Sequence, residues 1–290
     1  MNIEKEKRAI QYLRSFEPES EPYYLCYSGG KDSDTIKILA QLAGVKFEAV
    51  HNLTTVDAPE TVNYIKSQED VRIDYPELSM WQLIEKKLMP PTRLIRYCCS
   101  DLKERGGRGR MKIVGVRWAE SKNRAERSDF INIIGTPKTV QKAAREQGVA
   151  HRINRQQGMV LNNDNAETRR FVEHCYRTTS TMVNPIVDWT DNDVWAFLHH
   201  YGCKSNPLYD CGFKRIGCIG CPMTGKTRKT EFSLYPKYKR NYIKAFERML
   251  LRRAERGLEI PPMWYDGKAV FKWWMEEDPM QLSFLEEDEY

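Results

Sequence analysis

The stretch that most constrains this chain is Tyr23–Gly44, YYLCYSGGKDSDTIKILAQLAG. Tyr23–Tyr27 reads as a buried strand and Ser28-Gly29-Gly30-Lys31-Asp32-Ser33 as a tight polar loop. A helix follows from about Asp34 to Ala43, because Ile36, Leu39, Ala40 and Ala43 fall on one helical face. Gly44 is a natural stop just past its end. Strand, loop and helix in this order aim the free amides and positive dipole end of the helix at whatever lies above the sheet edge, which makes an anion site. Two successive glycines let the backbone approach a phosphate where a Cβ would clash. Ser28 and Ser33 add hydroxyl donors.

The loop is not a Walker A motif, since Gly30-Lys31-Asp32-Ser33 has neither the spacing nor the ending of G-x-x-x-x-G-K-[ST]. SGGKDS after a hydrophobic strand instead resembles the PP-loop of the adenine nucleotide α-hydrolase superfamily, whose members bind ATP or adenylyl sulfates and act at the α-phosphate.

Around this unit, strands at Lys46–His51, Val71–Tyr75 and Lys112–Val116 alternate with a helix ending near Gln68 and one over Ser79–Met89. Pro90-Pro91 stops the latter. The alternation predicts an α/β domain, a parallel sheet flanked by helices with ligands at the strands' C-terminal ends. A short amphipathic helix within residues 1–20 presents Ile10, Leu13 and Phe16 to the domain. Residues 136–180 are weakly periodic: Lys138–Gln147 is a candidate helix, Asn162–Asn165 a turn, and the expectation is a substrate-facing insertion. Thr190 is a plausible N-cap for a helix over Asp191–Tyr201, with Asp193 completing a near capping box. Pro236–Arg256 is a basic amphipathic helix. Tyr238, Tyr242, Phe246, Met249 and Leu250 form its core stripe, and Lys237, Lys239, Arg240, Lys244, Arg248, Arg252 and Arg253 its outer face. That face either is simply solvated or tracks a polynucleotide backbone. Tyr265–Trp274 is expected to dock back on the domain, and residues beyond Pro279 to be loosely held.

No run approaches the roughly 18 apolar residues of a membrane span, and MNIEKEKRAI lacks the apolar core of a signal peptide. The expectation is a cytoplasmic protein with no membrane partner. In that reducing compartment, eight cysteines argue for metal binding or catalysis. The net charge of +6 hides an asymmetry: seven acidic and no basic residues follow from Met275, which leaves residues 1–274 at +13. A body this basic suits phosphate-rich ligands or a nucleic acid and equally suits a well-solvated surface. Arg117, Arg124 and Arg127 follow a strand directly and are placed to fork onto phosphate or sulfate oxygens.

Cys98-Cys99 and Cys218-Ile219-Gly220-Cys221 are the sharpest signal after the loop. Two close pairs far apart in sequence are the usual way four thiolates meet on Zn²⁺ or a [4Fe–4S] cluster. Adjacent cysteines tilt the choice to iron–sulfur. Cys26 is a core residue of its strand, and Cys175 and Cys203 have no partner at ligand spacing.

Six ordered blocks resemble the phosphoadenosine phosphosulfate (PAPS) reductase family along about residues 20–230: YSGGKDS, TTVDAPET, RYCCSDLKE, GVRWAESKNRAER, NPIVDWTDNDVW and NPLYDCGFKRIGCIGCP. The resemblance implies a PP-loop domain with an iron–sulfur segment over 1–230, and a helical extension with an acidic tail over 231–290. It implies a [4Fe–4S] cluster on Cys98, Cys99, Cys218 and Cys221. Local similarity of Cys211–Cys218 to DndC, a relative acting in DNA phosphorothioation, makes Cys211 a fifth candidate for four positions. The nucleotide would lie on Ser28–Ser33, with Thr54, Asp57, Glu120 and Ser121 of the matched blocks beside it. Lys31 and Asp32 would position phosphate or Mg²⁺, and Arg117, Arg124 and Arg127 would neutralise charge. The family's assimilatory reductases use a cysteine in an ECGLH-like tail, and here no cysteine follows Cys221. The expected reaction is therefore ATP cleavage to pyrophosphate and an adenylylated acceptor, DNA or tRNA, from which a sulfur species displaces AMP. A sulfur-donor or reductant protein is the implied partner. The alternatives are a PAPS or adenylyl-sulfate reductase releasing sulfite, and a non-catalytic nucleotide- and metal-binding module.

Overall fold

The computed structural model describes residues 2–135, 138–225 and 227–276. The chain divides into two units. The first contains residues 1–52, 59–74 and 106–216, and the second residues 53–58, 75–105 and 217–290. In the second unit two earlier segments join the residues from Gly217 onward.

The first unit is built on eight strands: β1 (Tyr23–Cys26), β2 (Phe47–Asn52), β3 (Val71–Asp74), β4 (Lys112–Ile113), β5 (Ile131–Ile134), β6 (Arg152–Ile153), β7 (Met159–Leu161) and β8 (Ser180–Val183). Their order in the sheet is β3-β2-β1-β4-β8-β5-β7-β6. The pairs from β3 through β8 are parallel, with Leu25 opposite Ala49 on one side and Ile113 on the other. The β5, β7 and β6 extension is antiparallel. Residues 136–180, expected as an insertion, contribute its two outer strands and the helices Lys138–Glu146 and Ala166–Cys175.

Tyr23, Leu25, Ile36, Leu39 and Ala40 are buried with Ile113, Ile131, Val183 and Val187 in one apolar core. The helix after β1 runs from Lys31 to Ala43, three residues earlier than its apolar periodicity predicts, because Lys31, Asp32 and Ser33 make its first turn. It ends as expected at Gly44, in the left-handed region at φ +68°. Thr190 caps the helix Asp191–His200 in a capping box with Asp193. The strand expected over Lys112–Val116 keeps only Lys112–Ile113 in regular pairing, although the Val114 N–H still donates to Val183 O.

The second unit is helical: Met80–Lys87, a π-helical turn at Cys99–Lys103, Thr227–Leu234, Pro236–Glu255 and Gly267–Met275. Of the stripe expected on the helix Pro236–Glu255, the residues Tyr242, Phe246, Met249 and Leu250 are buried, and Tyr238 is half-buried. Trp274 packs on Tyr242 and Phe246 at centroid distances of 4.7 and 5.4 Å, so the aromatic segment does return to this helix. Tyr265 stays exposed. Beyond Glu276 the acidic tail, and with it the segment expected to be loosely held, lies outside the described residues. Among the described residues no helix is long and apolar enough to cross a membrane.

Candidate functional site

The first candidate site lies at the C-terminal ends of three neighbouring parallel strands, β1, β4 and β8, where the order of the sheet reverses. That is where open α/β sheets place ligands. The loop after β1 turns at Gly29, φ +71°, where a Cβ would stand 2.8 Å from Ile65 Cγ1. Only glycine fits. Asn206 holds this turn, donating from Nδ2 to Gly29 O at 3.0 Å and to Thr61 Oγ1 at 3.1 Å. Ser33 folds back on the loop: its Oγ accepts from Gly30 N at 3.0 Å and donates to Gly30 O at 2.7 Å. Ser28 donates to Ser33 Oγ at 3.3 Å. The two serines therefore shape the loop.

Asp32 is the loop's link to the rest of the site. Its Oδ1 accepts from Arg117 Nε at 2.7 Å. Arg117 follows β4, is only 2 % exposed, and also donates from Nη1 to Trp189 O (3.2 Å) and from Nη2 to Asp191 Oδ1 (2.6 Å). Lys31 Nζ stands 3.7 Å from Asp32 Oδ2 and 3.6 Å from Asp191 Oδ1, and lies over the Tyr209 ring. Two cations and two carboxylates thus interlock. Burial raises the Asp32 pKa, and Arg117 and Lys31 oppose that rise. Burial also works against charge on Asp191, yet the hydrogen bond from Arg117 and the nearby Lys31 outweigh it and hold this carboxyl below its usual range. Gly115 makes the approach possible, because a Cβ there would meet Asp32 Cβ and O at 3.1 Å.

Several expected roles change. Arg117 spends its guanidinium on two carboxylates and a carbonyl, so it positions Asp32. Arg124 is tied to Glu120 Oε2 at 2.6 Å, and the same oxygen accepts from Arg117 N at 3.1 Å. Ser121 caps the short helix Lys122–Arg127. Arg127 is half-buried, and its carbonyl accepts from Asn132 and Asn154. Two residues escaped the sequence reading. Asp191 looked like an ordinary first-turn residue, and Tyr209 carried no signal, yet its hydroxyl accepts the Lys31 N–H at 2.9 Å.

The second candidate site belongs to the helical unit. Cys98, Cys99, Cys218 and Cys221 line one small hollow of about 30 Å³, with Met80, Pro91, Leu102 and Tyr242 on its apolar walls and Lys103 beside them. Thr54 and Asp57, expected with the nucleotide, are packed on this side: Thr54 lines the hollow, and Asp57 pairs with Cys218 in an antiparallel bridge. Cys211 is exposed and belongs to the first unit. A hydrogen bond between the tandem thiols raises the Cys98 pKa and lowers that of Cys99. Burial pushes the Cys218 thiol up to about 12. Among the described residues no set of three or more His, Cys, Asp or Glu side chains is arranged to hold a metal ion. Four thiols in one apolar hollow are the donor chemistry of both Zn²⁺ and iron–sulfur sites.

The family model described as the phosphoadenosine phosphosulfate reductase domain matches residues 22–224. An uncharacterized protein of Methanocaldococcus jannaschii is 23 % identical over 93 % of this chain and 61 % of its own length, so the chain spans about three-fifths of that relative. The adenosine 5′-phosphosulfate reductase of Allochromatium vinosum is 44 % identical over 39 residues, 13 % of this chain and 15 % of that protein. Among solved structures, the phosphoadenylyl-sulfate reductase of Candida auris is similar at TM-score 0.42 and 14 % identity, over 72 % of this chain and 87 % of that one.

Proposed function

The chain belongs to the phosphoadenosine phosphosulfate reductase domain family, and from that membership we propose an iron–sulfur enzyme of the cytoplasm that acts at the α-phosphate of ATP. Its products are pyrophosphate and an adenylylated acceptor, which a sulfur species then attacks to expel AMP. The observation that carries this reading is the interlocked group Lys31, Asp32, Arg117 and Asp191 at the loop's helix start.

An acceptor oxygen attacks the α-phosphorus, the bond to the β-phosphate oxygen breaks, and pyrophosphate leaves. The Lys31 ammonium and the first-turn amides meet the charge that builds on the leaving oxygen. Arg117 fixes Asp32, and the Asp32 and Asp191 carboxylates suit the Mg²⁺ that a triphosphate brings. Arg127, and Arg124 whose charge Glu120 already meets, would add positive potential to the site. Cys98, Cys99, Cys218 and Cys221 would hold a [4Fe–4S] cluster, which when bound supplies a redox or sulfur-binding centre. The basic body supports a nucleic-acid acceptor, DNA or tRNA, with a sulfur-donor protein.

A second reading, a reductase releasing sulfite from PAPS or adenylyl sulfate, is favoured by the local match to adenosine 5′-phosphosulfate reductase. Magnesium separates the two. In competition titrations on the anaerobically purified chain, ATP binding that strengthens with Mg²⁺ and is lost in Asp32→Ala supports the first reading. PAPS binding indifferent to Mg²⁺, with weaker ATP binding, overturns it in favour of the second.

A further inference from the structure

The segment between β2 and the helix Pro59–Lys66 was expected to serve the nucleotide, and its contacts point elsewhere. Ile219 N donates to Val56 O at 2.8 Å, and Asp57 pairs with Cys218. Tyr238 donates its hydroxyl to Asp57 O at 2.9 Å, and Tyr242 donates to Ile219 O at 3.1 Å. Main-chain and tyrosine bonds therefore bind residues 53–58 to the Cys218–Cys221 loop. Thr55 is held at φ +65°, a left-handed conformation that a β-branched residue rarely adopts. Its own hydroxyl accepts from Met80 N at 2.9 Å, which fixes the turn.

Thr54 is the product of that turn. It is 3 % exposed, and its N–H is taken by Asp57 Oδ2 at 2.7 Å. Its hydroxyl oxygen lies 3.4 Å from Val56 N, which donates to it, and 3.4 Å from Cys218 Sγ. With the free thiol present, sulfur donates to oxygen. A metal-ligating cysteine is a thiolate with no proton to give, so the direction must reverse and the hydroxyl proton turn to sulfur.

We infer that Thr54 is a positioning residue for the cysteine site, donating a hydrogen bond to the Cys218 thiolate that holds this ligand in place and retains iron. The inference rests on the iron–sulfur reading above. Hydrogen bonds to ligand sulfurs orient them and set cluster potential, and loss of such a partner typically lowers metal affinity by about 10–100-fold.

The test uses the full chain, purified and reconstituted with iron and sulfide without oxygen, as wild type, Thr54→Val and Thr54→Ser. Iron release to a chelator and the cluster's midpoint potential are read, with thermal unfolding of the metal-free forms alongside. Thr54→Val is expected to release iron about tenfold faster and to shift the potential downward, because the reduced cluster loses a donor. Thr54→Ser should behave as wild type, and metal-free Thr54→Val, which gives up the bond from Val56 N, should unfold at only a slightly lower temperature. Equal release and equal potential in wild type and Thr54→Val overturn the inference. So does Thr54→Ser releasing iron as fast as Thr54→Val, since serine keeps the hydroxyl and the hydrogen bond would then not be what retains iron. A wild-type chain that retains no iron overturns the cluster reading itself, and the inference falls with it.

Discussion

Arg117 Nε donates to Asp32 Oδ1 at 2.7 Å from a guanidinium that is almost entirely out of water. Asp32 stands in the first turn of the helix that follows β1 and Arg117 in the segment after β4, so one ion pair joins two strand ends. Removing one partner of a buried pair strands the other charge, and typically costs about 3–5 kcal/mol. Arg117→Ala should therefore lower the urea midpoint by that equivalent. Arg117→Lys should recover only part, since a point charge cannot serve Asp32, Trp189 O and Asp191 together. An Arg117→Ala chain as stable as wild type would remove Asp32's anchor from the account.

Tyr209 competes with any anion for the Lys31 N–H. Tyr209→Phe gives up that hydrogen bond, at a net cost of about 1 kcal/mol in stability. It also leaves the amide open, so inorganic pyrophosphate should bind about fivefold more tightly by calorimetry. Weaker binding in Tyr209→Phe would show that the hydroxyl itself contacts the anion.

Asp34, buried in the helix after the loop, accepts from the Tyr27 hydroxyl at 2.5 Å. Burial raises its pKa to about 6, against the hydrogen bond from Tyr27 and the nearby Lys37. The folded value exceeds the unfolded one, so the group's contribution is full below pH 4 and is lost as pH rises through about 6. The loss amounts to about 3 kcal/mol. Asp34→Asn does not titrate, and its stability relative to wild type should climb by that much between pH 4 and 7 in urea unfolding. A flat difference would contradict the assignment.

Iron content discriminates among the five cysteines of the two pairs and their neighbour. Cys98→Ala, Cys99→Ala, Cys218→Ala and Cys221→Ala should each lose most bound iron and sulfide, while Cys211→Ala, exposed and in the other unit, should retain both. Equal loss in Cys211→Ala would put that residue among the ligands.

The parts legible in the sequence were the local ones. A strand, SGGKDS and an apolar helical stripe are contiguous, so Gly29, Gly44 and the helix between them follow from backbone and periodicity alone. Arg117 and Asp32 were both named from the sequence, but their pairing, and Asp191 as the third member, were not, because these residues meet across the sheet order. Tyr209 meets Lys31 at a separation no motif spacing records. The antiparallel edge was invisible for another reason: β6 has two residues and β7 three, too short to show alternation. Thr54 and Asp57 were read with the nucleotide through their block, and only the fold put them on the Cys218 loop.

The most direct test of the central claim is product analysis on the anaerobically purified chain, given ATP or PAPS separately with a dithiol, and plasmid DNA or bulk tRNA as acceptor. The account predicts pyrophosphate and AMP from ATP, stimulated by one of the two acceptors and lost in Asp32→Ala. Sulfite from PAPS without any turnover of ATP would contradict it.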